Sequence, residues 1–223
     1  MPELHGTKQR TKVRKRDLCR TVQVLFRERK AMHKWYEASL PSGYAPVRVI
    51  DVKNKRTALL FNFAAFGVMV LFVALGVVLL PLRGFWEAFD FLHYGIFVAA
   101  LLLYIVLHEL LHGLAYFLMT RQKLTFGLTL SAAFCGVPNI YVYRKTALIA
   151  LLTPFAVFLP IFAAPVFLLQ NPFDRFACLC LLAMHLGGCV GDLYDTLLLL
   201  LCHRDKTVLM RDTGPAQTIY QMQ

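Results

Sequence analysis

The sequence predicts an all-α membrane protein with four transmembrane helices and both termini in the cytoplasm. Three observations predict it. Hydrophobic residues make up 58% of the 223 residues and charged ones 17%, whereas soluble domains hold roughly 45–50% apolar and about 25% charged residues. The charge is concentrated, since residues 1–56 hold 15 of the 24 Lys and Arg. The remainder contains four apolar stretches, near 57–82, 92–119, 147–169 and 176–202, each long enough for the ~20 residues that cross a bilayer. The first of them starts too deep for a cleaved signal peptide.

Residues 1–38 read as a basic cytoplasmic arm. Leu18, Val22, Leu25 and Phe26 recur at helical spacing among Arg and Lys, the pattern of an amphipathic helix lying on anionic lipid. The alternative is a solvated arm that follows the positive-inside rule. "LPSGYAP" then breaks the helix, and a membrane domain over 39–220 follows. Alternating the connecting segments between two sides puts 22 Lys and Arg on one side and leaves Arg83 and Arg175 on the other. The N-terminus, the 120–146 loop and the C-terminus are therefore expected in the cytoplasm of a multi-pass cell-membrane protein. Trp86 and Tyr94 fall where an outer aromatic belt belongs. The basic residues flank spans and accompany no nucleic-acid motif, which argues against a nucleic-acid partner. The six cysteines include no C-x-x-C pair and read as reduced packing residues rather than disulfides or a zinc knuckle.

The second span contains "YIVLHELLHGLAYF", with His108, Glu109 and His112. Positions i and i+4 lie on one helix face, so His108 and His112 offer two imidazoles to one ion. Glu109 is then placed to act as general base on a water at the metal. With 7 His and 5 Glu in the chain, H-E-x-x-H arises by chance in about one such sequence in 200. A glutamate inside a span is costly and usually functional. The plainer alternative is polar packing between helices without metal.

A catalytic zinc needs a third protein ligand. "MHLGGCVGDLYDT" in the fourth span offers His185, Asp192 and Asp195. The second and fourth spans run in the same direction. At 1.5 Å per residue, His108 lies about 18 Å before the end of its span and Asp192 about 16 Å before the end of its own. The pattern G-x-x-x-G at Gly187 and Gly191 is expected to let the two helices approach closely. Asp192 is therefore favoured as third ligand, with Asp195 as the alternative or as a carboxylate orienting a ligating histidine. His185 reads as a supporting or interfacial residue. In the 121–146 loop, "LTFGLTL" and "NIYVY", separated by Gly136 and Pro138, suggest a short β-hairpin. Such a hairpin either holds an extended substrate by strand addition or anchors the loop at the interface. Asn139 is a candidate for stabilising the transition state. Pro154, Pro160 and Pro165 either open or kink the third span.

Five motifs, "LPSGYAPVRVIDVKNK", "HELLHGLAYF", "LTPFAVF", "GGCVGDLYD" and "RDTGPAQTIY", resemble in order and spacing a family of bacterial membrane proteins described as zincin peptidases. The resemblance covers about residues 39–220. The family looks like a small relative of the site-2-protease type of intramembrane metalloprotease. It implies zinc held by His108, His112 and Asp192 with Glu109 as base. The chain reads "GDLYD" where site-2 proteases usually have L-D-G. The function expected is that of a membrane zinc metalloendopeptidase acting on a membrane protein or peptide. A zinc-binding scaffold without proteolysis and a small proton or metal transporter are the alternatives.

Overall fold

The computed structural model describes residues 34–128 and 133–223. The basic arm through residue 33, with its expected amphipathic helix, lies outside the described residues. The first long helix, α1 (Lys55–Leu79), begins at Asn54, whose side chain accepts a hydrogen bond from the Arg56 N–H at 3.0 Å. It stops before Pro81, because a proline disfavours helical backbone in the residue ahead of it; Leu80 is extended. The 30-residue helix α2 (Phe91–Thr120) follows and closes at Arg121, which takes a left-handed conformation with φ 55°. Helix α3 (Arg144–Leu168) runs through all three of its prolines. Helix α4 (Pro172–Gly188) starts with its proline at the first turn, where no N–H is needed. The Asn171 side chain accepts from the Phe173 and Asp174 N–H groups.

The stretch expected as one fourth span is broken. Helix α4 ends at Gly188, and α5 (Val190–Leu197) continues after Cys189 into a π-helical turn at Leu198–Cys202, bent by 40°. Helices α1, α2 and α3 are each long and apolar enough to cross a membrane, and the bent pair makes a fourth if it is one span.

The molecule is mostly helical, yet the expectation of an all-α fold with one loop hairpin misses a five-stranded antiparallel sheet. Strands β1 (Tyr36–Glu37), β2 (Tyr44–Asp51), β5 (Tyr141–Tyr143), β6 (Leu209–Asp212) and β7 (Ala216–Met222) form one sheet in the order β1-β5-β6-β7-β2. It starts just upstream of residue 39, where the membrane domain was expected to begin. Strand β2 is an edge, bulged between Pro46 and Arg48, as suits a residue that cannot donate to the ladder. The sheet joins segments that precede α1, precede α3 and follow the last helix, the three that the charge pattern assigns to one side. Its inner residues Val142, Met210 and Ile219 pack with Ala115 and Tyr116 of α2 and Ala147 and Ala150 of α3 in one core.

The loop hairpin is present with a different pairing from the one expected. Strand β3 (Thr125–Leu128) pairs with β4 (Ala133–Gly136), from Thr125↔Gly136 to Leu128↔Ala133. "NIYVY" supplies β5 to the larger sheet instead. Gly136 is a contact point rather than a turn, since a Cβ there would sit 2.3 Å from the Gly214 nitrogen. The hairpin rests on α2 at Gly113, where a Cβ would meet the Phe126 ring at 2.7 Å. Among the described residues, five cysteines are free.

Candidate metal centre

Every fourth residue of α2 from Tyr104 to Thr120 faces the interior: Tyr104, His108, His112, Tyr116 and Thr120 are all buried. Steps of four nearly match the helical period, so these groups stack about 6 Å apart along one face. Residues between them, such as Leu110, Leu114 and Phe117, are exposed, which is the outward surface a membrane helix requires.

The break after Gly188 brings Asp192 against this stripe. Asp192 Oδ2 lies 3.4 Å from His108 Nε2 and 3.3 Å from His112 Nε2. The three ligand atoms fall within 4.8 Å of one another. Ligands held 2.0–2.1 Å from a tetrahedral zinc stand about 3.4 Å apart, so this spacing fits the ion. The glycines act differently from expectation. Gly187 packs against α1, where a Cβ would meet Met69 Cγ at 2.6 Å and the Ala65 carbonyl at 2.8 Å. Gly191 has nothing within 4 Å of a Cβ. Asp192 therefore reaches the histidines through the helix break and not through a close α2–α4 crossing.

The tautomer of His112 follows from its partner. Its Nδ1 lies 2.9 Å from the Ala150 carbonyl, which can only accept, so Nδ1 carries the proton and Nε2 presents a lone pair. That carbonyl is free because its partner in the α3 ladder would be residue 154, and Pro154 has no N–H. The proline of "LTPF" thus frees the acceptor that orients a histidine on another helix. His108 Nδ1 lies 3.3 Å from the Tyr104 hydroxyl.

Glu109, half-buried, lines a cavity of about 460 Å³ together with both histidines and Asp192. Cys135 of β4 lines the same cavity. Asp195 and Asp212 line it too, and among the described residues no Lys or Arg does. An unbalanced set of carboxylates around two imidazoles suits a bound cation. Asp195 is buried and its Oδ1 has no hydrogen-bond partner; the Nδ1 atoms of the two histidines face Ala150 and Tyr104 instead. His185 is fully buried with Nδ1 3.1 Å from the Tyr104 hydroxyl. Asn139 is exposed in the turn after β4 and does not line the cavity.

Several site residues escape the sequence reading. Asn62 of α1 lines the cavity, and its signal is a lone amide in an otherwise apolar span. Tyr104 and Tyr116 belong to the i+4 stripe that extends the histidine pair by one turn each way. Tyr116 donates to Asp212 Oδ2 at 2.8 Å, and the Gly214 N–H donates to Asp212 Oδ1 at 2.8 Å. Burial raises the Asp212 carboxyl to about 6, although these two hydrogen bonds pull the other way. Cys135 is likewise pushed up to about 12, by burial first and then by Asp212 and Glu109.

No curated protein and no solved structure matches the chain. Residues 101–207 match the model of a family described as "putative zincin peptidase", which points to a zinc metallopeptidase. The matched segment runs from the histidine helix through the α4–α5 break and contains all three converging ligand atoms. The family that the motifs resemble, the zincin peptidases, is thus the family that this chain matches over residues 101–207.

Proposed function

We propose that the chain is an integral membrane zinc endopeptidase that hydrolyses peptide bonds of membrane-associated proteins near the cytoplasmic leaflet. The supporting observation is one carboxylate oxygen of Asp192 placed 3.4 and 3.3 Å from the Nε2 atoms of His108 and His112, with Glu109 on the same cavity wall. In this reading His108, His112 and Asp192 would hold the ion beside the cavity. Zinc bound there would polarise a carbonyl and lower the pKa of water. Glu109 takes a proton from the attacking water and delivers it to the departing amine. A C–O bond forms at the carbonyl carbon and the C–N bond breaks, so the water is consumed and one acid and one amine result.

Strand β3 has β4 as its only ladder neighbour among the described residues, which leaves an edge beside the site for an extended substrate to add as a strand. In this reading both termini are cytoplasmic, on the side where the basic N-terminal residues would meet anionic lipid. The test is Glu109→Gln expressed in place of the wild type, with membrane-protein turnover and bound zinc both measured. Zinc is expected to stay and cleavage to fall by about 10²–10⁴-fold. Unchanged cleavage with zinc retained rejects Glu109 as the base.

A further inference from the structure

The two motif histidines of α2, His108 and His112, are oriented by different chemistry, and only one of them has its tautomer set by direct contact. Ala150 accepts from His112 and fixes it. Tyr104 can donate or accept, so His108 depends on what the hydroxyl meets next. That neighbour is His185 Nδ1, at 3.1 Å, while His108 Nδ1 is at 3.3 Å. One hydroxyl has one proton, so it donates to one of these nitrogens and accepts from the other. If His108 presents the Nε2 lone pair to an ion, its Nδ1 carries the proton and donates to Tyr104 Oη. Tyr104 then donates to His185 Nδ1, which leaves the His185 proton on Nε2. His185 Nε2 has no partner within hydrogen-bond length, and the ring stacks on Phe155 at 5.8 Å between centroids.

We propose that Tyr104 and His185 are positioning residues that lock His108 in the tautomer and ring orientation needed to ligate zinc through Nε2. This rests on the zinc reading of His108, His112 and Asp192. The Tyr104 ring is itself held edge-on by Phe158 and Phe162 at 5.1 and 5.2 Å between centroids. It is buried, and so is His185. The hydroxyl packs against Gly188, where a Cβ would stand 3.4 Å from Tyr104 Oη. The rival occupant of this pocket is a second ion, because His108, His185 and Cys189 also bring ligand atoms within 4.8 Å of one another. The hydroxyl within hydrogen-bond distance of both imidazoles favours the locked chain.

The experiment is zinc titration of the purified full-length protein against a chromophoric chelator. It is paired with cobalt substitution, whose visible spectrum reports ligand geometry. Wild type is expected to bind one zinc. Tyr104→Phe removes the hydroxyl and keeps the ring, and is expected to weaken zinc by about 10–100-fold and to shift the cobalt spectrum. His185→Asn places a carbonyl oxygen near the Nδ1 position and is expected to retain affinity better than His185→Leu, a rescue that packing alone would not give. Equal affinity in wild type and Tyr104→Phe overturns the lock and leaves the zinc reading intact. A second zinc lost in Cys189→Ala overturns it in favour of an ion in the His108–His185–Cys189 pocket. No zinc in wild type or in Asp192→Ala overturns the parent reading and the lock with it.

Discussion

The helix that carries the histidines and the span that carries Asp192 are built in opposite ways. Helix α2 runs unbroken for 30 residues and places two imidazoles and a carboxylate by its own period. The last span breaks at Cys189, bends by 40° and ends in a π-helical turn, and its aspartate reaches the site only because of that break. A ligand set by helical period depends on local spacing, whereas one set by a break depends on everything that holds the break in place. The α2 side has such supports as well, but they come from distant segments: the Ala150 carbonyl, the hairpin against Gly113, and the Tyr116–Asp212 hydrogen bond to the sheet.

The largest expected effect that sharpens this comparison concerns the sheet clamp. The Asp212 carboxyl titrates near 6 in the folded protein, against an ordinary value of 3.8. Between these values the folded state binds more protons than the unfolded one, so stability falls as pH rises through that window. Below pH 4 the penalty is absent, and above pH 6 it is complete at about 3 kcal/mol. Asp212→Asn is expected to flatten this slope in unfolding measurements between pH 4 and 6. A slope identical to wild type would remove Asp212 from the account.

The second test sets two glycines of one motif against each other. Gly187→Val forces a side chain onto Met69 and the Ala65 carbonyl, with an expected cost of 1–3 kcal/mol or so and weaker zinc binding as α4 moves. Gly191→Ala meets nothing and is expected to change stability by less than about 0.5 kcal/mol. Thermal unfolding and chelator competition on both variants decide it; equal losses would return the helix crossing to α2, as the sequence pattern first implies. The smallest effect is expected at Pro154. Pro154→Ala returns an N–H to compete for the Ala150 carbonyl, so zinc affinity should fall by about tenfold while the helix itself becomes no less stable. A loss of fold without a loss of affinity would assign the proline to packing.

The legible parts of the molecule are those encoded within one segment. The four apolar stretches and H-E-x-x-H follow from composition and helical spacing; Asp192 is favoured by its depth in the last span, but the break that carries it to the histidines is not in that reading. Nor is the five-stranded sheet, because β2 pairs with β7 from the far end of the chain and each strand alone is short or polar. Pro46 inside "YAPVRVID" further disguises β2 as linker. The break at Cys189 carries no proline, and Gly187 and Gly188 read equally well as a packing motif. Asn139 sits in the exposed turn after β4, away from the cavity, whereas Asn62 of α1, which the sequence reading passes over, lines it.

The central claim is that His108, His112 and Asp192 hold one zinc, and metal analysis of purified wild type beside Asp192→Ala tests it most directly. One zinc per chain in wild type and a near-complete loss in the variant is the predicted result; equal and negligible zinc in both would contradict it.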